Sequence, residues 1–189
     1  VTGDLYTRMN SRGNNELFSK LEQMGCEVWA SPFYAASTDF ELPQNSKRWL
    51  KKGKPAKAVV DASVARLLRH HSRKLASVLP PQLRRRCVET EQSLLQKYAE
   101  QYTGADSNHL VRTIIGKMVD FAKRDADGII SVIGLNCMAG NSAGTAFSRI
   151  RKENSSIPVL TMTCGTTEGL HQKIQLETFV QQVKQRMNN

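Results

Sequence analysis

Two kinds of apolar pattern alternate along this chain. Ile129-Ile130-Ser131-Val132-Ile133-Gly134-Leu135 is almost continuously apolar and rich in β-branched residues, which predicts a buried strand. Ile157 to Thr163, entered through Ser155-Ser156, predicts another. Val1 to Asn10 reads as a strand leading into a loop, and Ser11-Arg12-Gly13-Asn14-Asn15 as a turn. Leu17, Phe18, Leu21 and Met24 recur at three- and four-residue spacing, so a helix is predicted over Glu16 to Met24. Asn14 or Asn15 is suited to cap it and Gly25 to end it. Cys26-Glu27-Val28-Trp29-Ala30 then reads as a short strand closed by Ser31-Pro32, completing a β-α-β unit that favours parallel pairing. After Ile129–Leu135, a loop is expected from Asn136 to Asn141 and a helix from Ser142 to Glu153. A terminal helix is expected from Gln172 to Met187.

The middle of the chain differs in kind. From Ser46 to about Lys123 it reads as helical throughout, with Val59, Val60, Val64, Leu67 and Leu68 on one face. Pro80-Pro81 breaks the run. A second helix follows from Gln82 to Tyr102, then a turn at Gly104-Ala105-Asp106-Ser107, then a third helix from Leu110 to Ala122. The expected organisation is therefore an α/β domain with a parallel sheet, made from residues 1–45 and 127–189. An all-helical insertion, residues 46–126, interrupts it.

Composition adds boundaries. The 189 residues suit one domain, or one domain with an insertion. No apolar run approaches the roughly 18 residues of a membrane-spanning helix, and no signal-peptide pattern opens the chain. It begins at Val1 and enters a structured motif at once, so it is expected to be a piece of a larger cytoplasmic polypeptide. Cys26, Cys87, Cys137 and Cys164 form no C-x-x-C pair and read as reduced thiols. The net charge of +10 is unevenly placed. Asn45 to Ala126 holds 18 Lys and Arg against 7 Asp and Glu, and the rest of the chain 9 against 10. A basic helical segment of this kind suits nucleic acid, a membrane surface, an acidic partner subunit, or the polyphosphate of a nucleotide or coenzyme A; a solvated surface is the alternative.

In an open parallel sheet, ligands bind beyond the carboxyl ends of the strands. Tyr6 to Asn15, Asn136 to Ser142 and Cys164 to Gly169 are expected there. Cys137 and Cys164 each follow a strand directly, and helix N-termini favour negative charge, which suits a metal-ligating or redox thiolate. The alternative is two small packing residues. Asn136, Gly165 and Thr166 flank them and are the candidate cofactor-binding positions. The Gly134–Asn141 loop offers backbone N–H groups to a phosphate, although it is neither G-x-G-x-x-G nor a Walker motif. His70 and His71 fall in the basic helical run, and His109 near a helix start. His171 is the histidine nearest the expected site, with no third member for a Cys–His constellation. Asp4 and Glu168 are candidate caps. Two cysteines do not complete a 4Fe–4S site, which takes about four ligands.

Several motifs resemble one family. Gly3-Asp4-Leu5-Tyr6-Thr7-Arg8 with Asn14-Asn15, Asp127-Gly128-Ile129-Ile130 with Asn136-Cys137-Met138, and Ile157-Pro158-Val159-Leu160 with Gly165-Thr166, Glu168 and Leu176-Glu177-Thr178-Phe179 stand in the order found in the 2-hydroxyglutaryl-CoA (2-hydroxyacyl-CoA) dehydratase component family. Asn136 and Ala139 replace the Gly and Pro that flank the family's cysteine, and Cys164 replaces an acidic residue. The resemblance implies a flavodoxin-like or Rossmann-like sheet and the C-terminal domain of an acyl-CoA dehydratase activase-related protein. It also implies Cys137 as a metal ligand to a 4Fe–4S cluster shared with other domains, with no cluster in the isolated piece. The implied chemistry is ATP-driven electron transfer or acyl-CoA dehydration, with no turnover in this piece alone. The implied partners are ATP-dependent activase and dehydratase-like domains of the same polypeptide, an acyl-CoA, and a second copy in a homodimer. Nucleic acid is the weakest candidate, and no membrane is expected. The competing reading is a non-catalytic interaction module that binds an acidic partner or ligand through the basic helices.

Overall fold

A computed structural model of the chain describes residues 1–31, 42–81, 83, 90, 92–104, 107–165 and 170–188. Along the chain the helices are α1 (Leu5–Met9), α2 (Leu17–Gln23), α3 (Leu42–Lys51), α4 (Pro55–Ser77), α5 (Gln92–Glu100), α6 (His109–Lys123), α7 (Met138–Gly144), α8 (Phe147–Glu153) and α9 (Leu170–Met187). The strands are β1 (Thr2–Gly3), β2 (Ile129–Gly134) and β3 (Val159–Cys164). The chain divides into two compact units, one of Val1–Ala30 and Leu95–Asn189, the other of Ser31–Leu94. Among the described residues no helix is long and apolar enough to cross a membrane.

The first unit is α/β. Its sheet is parallel throughout, in the order β1-β2-β3, with Ile129 opposite Val159 and Gly134 opposite Cys164. Both faces of the sheet are covered, which explains why β2 reads as an apolar run rather than as an alternation. Ile130, Val132, Met162 and Cys164 share one face with Leu17 and Leu21 of α2 and Leu176, Phe179 and Val180 of α9. Ile129, on the other face, joins a cluster built from α6, Ala143 of α7, and Phe147 and Ile150 of α8. The result is helix, sheet, helix in three layers.

Helix α6, expected within the helical middle, falls in this unit. Eight consecutive buried positions from Ile114 to Phe121, together with Val111, show its depth: between Val111 and Phe121 all but Arg112 and Thr113 are buried. Asn108 caps it, its Oδ1 accepting from the Leu110 N–H at 2.8 Å. At Gly116 an added Cβ would lie 2.5 Å from the Leu95 carbonyl oxygen, so α5 and α6 approach main chain to main chain there.

Several local expectations are corrected. The opening strand is limited to Thr2–Gly3; Leu5–Met9 is helical because Asp4 Oδ1 accepts from the Thr7 N–H and caps it. Cys26–Ala30 forms no strand. Gly25, at φ +84°, turns the chain at the end of α2, and the Cys26 N–H bonds back to the Leu21 carbonyl. Cys26 and Val28 then pack against the buried cluster without entering the ladder, so the parallel pairing comes from β1, β2 and β3 instead. The helix expected over Ser142 to Glu153 is two helices, α7 and α8, and α7 begins at Met138 inside the expected loop. The strand expected over Ile157–Thr163 runs from Val159 to Cys164.

The second unit contains α3 and α4. The expected continuous helix breaks at Lys52-Gly53-Lys54, where Gly53 takes φ +67° and Pro55 starts α4. Two hydrogen bonds join the helices: Ser46 Oγ donates to the Ala58 carbonyl at 2.9 Å, and Trp49 Nε1 donates to Asp61 Oδ2 at 3.1 Å. The buried residues of α4 are Ala58, Ala65 and Ala76. Val59, Val60, Val64, Leu67 and Leu68, the apolar face of the sequence pattern, are instead exposed. In the helix expected over Gln82–Tyr102, α5 occupies Gln92–Glu100, and residues 82, 84–89 and 91 lie outside the described residues.

Candidate functional site

The carboxyl edge of the sheet is built from three loops. The first follows β1. Gly3 adopts φ +109°, and an added Cβ would lie 2.0 Å from the Val132 carbonyl oxygen, so the position has room for glycine alone. The same carbonyl accepts from the Asp4 N–H at 2.7 Å, which seats the start of α1 on β2. Thr7 Oγ1 comes within 3.9 Å of where a Cβ on Gly134 would stand. Arg8 is buried, and its Nη1 donates to the Gly3 carbonyl at 3.3 Å. Burial pulls its pKa down to about 10, while the nearby Asp4 charge acts in the opposite direction. Asn14 closes this loop: its Nδ2 donates to the Arg8 carbonyl at 2.8 Å, and its Oδ1 accepts from the Leu17 N–H at 3.1 Å. Asn14, rather than Asn15, therefore satisfies the first N–H of α2, while Glu16 occupies the N-cap position without a side-chain bond.

The other two loops are tied to the first. Asn15 Nδ2 donates to Gln172 Oε1 at 3.0 Å, and Gln172 Nε2 donates to the Thr163 carbonyl at 3.1 Å. This relay joins the loop after β1, the end of β3 and the start of α9. The Leu135 N–H bonds the Cys164 carbonyl at 3.0 Å, which ties the end of β2 to the end of β3. The described parts of the three segments that the strand-end rule singled out thus meet at one edge; residues 166–169 lie outside the described residues.

Cys137 is placed by a tight turn. Its N–H bonds the Gly134 carbonyl at 3.1 Å, with Asn136 between them at φ +57°. Asparagine is among the few side-chain-bearing residues that adopt this left-handed conformation readily. Cys137 caps α7, its Sγ accepting from the Gly140 N–H at 3.4 Å. A Cβ on Gly140 would stand 2.3 Å from Ile133 Cγ2, so α7 lies flush against β2 and carries Cys137 with it. The Cys137 side chain is half-buried at the edge.

Cys164 has a different setting. Although Gly134 and Cys164 are register partners, the Cys164 side chain is buried in the apolar cluster beneath α2 and α9. Cys137 belongs to the loop that enters α7 on the opposite layer, so the two cysteines share an edge and not a face. Gly165 continues the turn at φ +100°. Thr166 and Glu168 lie outside the described residues. His171 is exposed on α9, 2.9 Å from the Gln175 side chain, and His70 and His71 are exposed on α4. Among the described residues no three His, Cys, Asp or Glu side chains form a group able to hold a metal ion.

Sequence reasoning missed the role of Gln172, which no local motif marks because its partners lie in distant segments. Arg8 carried a signal in the motif opened by Gly3, but its burial was not legible there. Together the edge defines a three-layer parallel α/β domain with a polar loop cluster at the strand ends. Compared with protein-family models, curated proteins and solved structures, the chain matches none.

Proposed function

We propose that the chain is a domain of a 2-hydroxyacyl-CoA dehydratase-like, activase-related protein, with its parallel sheet as a flavodoxin-like or Rossmann-like frame. The observation that carries this reading is the placement of Cys137. It sits at the carboxyl edge of the sheet, half-buried, capping a helix, where the resemblance expects a cluster-ligating cysteine. The left-handed Asn136 also supports it, since the family's glycine at that position meets the same conformational demand.

The donor set suits a shared cluster. A cysteine thiolate is a soft ligand appropriate to iron–sulfur centres. The described residues supply this one ligand at the edge, and about four are needed, so the others come from further domains or a partner chain. A bound 4Fe–4S cluster would supply low-potential electron transfer toward an acyl-CoA. The chain's own part is to fix the thiol through the Gly140 N–H and the flush contact of α7 with β2. The same reading places the protein in the cytoplasm, beside ATP-dependent activase and dehydratase-like domains.

Anaerobic reconstitution with iron and sulfide tests it, on the chain together with its activase and dehydratase-like domains, with bound iron counted for the wild type, Cys137→Ala and Cys26→Ala. The expected result is iron and sulfide in the wild type and Cys26→Ala and their loss in Cys137→Ala. Equal iron in Cys137→Ala and the wild type contradicts the proposal, as does a wild type that takes up none alongside its activase and dehydratase subunits.

A further inference from the structure

The charge of the chain is concentrated in α3 and α4. Residues 42–77 hold ten Lys and Arg and one carboxylate, Asp61, leaving 17 against 16 for the rest of the chain. All ten cations are exposed. The same hairpin also exposes aliphatic side chains: Val60 is 59% exposed, Leu67 56% and Leu75 73%. With about 3.6 residues per turn, Lys57, Val60, Val64, Leu67, His71 and Lys74 form one continuous stripe along α4. Leu68 and Leu75 widen it. The stripe is apolar at its centre and carries a cation at each end, about 26 Å apart at the helical rise per residue. Lys57 is held in place over the Trp49 ring, with Nζ 4.9 Å from the centroid.

We propose that this stripe docks an acidic amphipathic helix of a partner protein, with aliphatic residues facing Val60, Val64 and Leu67 and carboxylates facing Lys57 and Lys74. The inference does not depend on the role of Cys137. Covering exposed aliphatic surface is favourable only against another apolar surface, and a phosphodiester backbone offers none. Trp49, the aromatic of the hairpin, is half-buried with its indole N–H bonded to Asp61, which does not suit base stacking. An anionic lipid surface would take the stripe but not the arginines: at about 100° per residue, Arg66, Arg69 and Arg73 lie on the opposite side of α4. A second copy brings the same excess of positive charge and is repelled. An acidic helix satisfies both features, in the helix-on-helix mode of peptide recognition.

The test uses the whole chain and a fluorescent synthetic helical peptide with leucines four and seven residues apart and glutamates at both ends. Controls are a scrambled peptide of the same composition, a DNA duplex, and vesicles of phosphatidylserine and phosphatidylcholine, all in one buffer near physiological salt. The patterned peptide is expected to bind at least about tenfold more tightly than the scramble, the scale set by burying one or two aliphatic side chains. Leu67→Asp is expected to weaken it by a similar factor. Lys57→Glu with Lys74→Glu weakens it too, and a peptide with lysines in place of the end glutamates restores binding to that double variant. These positions are exposed, so the variants are expected to keep the fold, which circular dichroism checks. Equal binding of peptide and scramble overturns the proposal, as does failure of the lysine peptide to rescue. Tighter binding of duplex or vesicles assigns the surface to those ligands and likewise overturns it.

Discussion

Gly3→Ala is expected to destabilise the first unit by on the order of 3–5 kcal/mol, combining backbone strain with forced overpacking. The new methyl would stand 2.0 Å from the Val132 carbonyl oxygen and 2.6 Å from its nitrogen, at φ +109°. Both obstacles are main chain of the central strand, so neither can step aside as a side-chain tip would. Relief requires β1 to leave β2, and β1 pairs through two positions, Thr2 with Ser131 and Gly3 with Val132. Loss of that pairing releases the Asp4 N–H from Val132 and with it the seat of α1 and the Asn14 loop. Domains are stable by about 5–15 kcal/mol, so the variant is expected to be partly unfolded at ambient temperature. Urea denaturation followed by circular dichroism measures it. A change below about 0.5 kcal/mol, the range of ordinary surface substitutions, would contradict the close approach of β1 to β2.

Ile115→Ala is expected to cost about 2–5 kcal/mol, the range for deleting a buried aliphatic side chain. Ile115 is fully buried on α6, in one cluster with Met118, Ile129, Ile150 and Ile157. The loss combines the transfer of apolar surface with a cavity that the flanking helix and strand fill only in part. Val60→Ala on α4 is the informative contrast. Val60 looks as apolar as Ile115 in the sequence, but it is 59% exposed, so its removal is expected to change stability by less than about 0.5 kcal/mol. Equal effects at the two positions would contradict the assignment of α6 to the core and of the α4 stripe to the surface. Thermal or urea unfolding of both variants decides it.

That contrast marks what the amino-acid pattern could and could not reveal. Ile129–Gly134 was legible because a strand buried on both faces needs nearly every position apolar. The parallel α/β class was legible for the same reason; helical periodicity gave the ends of α6 to within one residue and the C-terminal end of α9 at Met187. Thr2–Gly3 was harder to bound, because a two-residue strand has no periodicity and its neighbour Asp4 turns the chain into a helix by a single side-chain bond. Cys26–Ala30 has strand-like composition yet uses it to cover the cluster beside α2, a tertiary choice that β-propensity does not encode. On α4 the helical period was right, while the buried side proved to be the alanines. A helix with two apolar faces does not announce which one is covered. At the site, strand-end reasoning brought the described parts of the three loops to one edge, since parallel strands end on the same side of a sheet. It could not separate Cys137 from Cys164, because the face a residue takes after a strand end depends on the turn, here set by Asn136 and Gly140.

The most direct test of the proposed function is Mössbauer spectroscopy of the chain reconstituted with iron-57 together with its activase and dehydratase-like domains, comparing wild type with Cys137→Ser. Serine keeps a side-chain oxygen at the helix cap, so the variant is expected to retain iron while one iron site changes its isomer shift and quadrupole splitting, as sulfur is replaced by oxygen in its coordination. Spectra that superimpose in the two proteins would show that Cys137 does not bind iron, and would contradict the proposed role of this edge of the sheet.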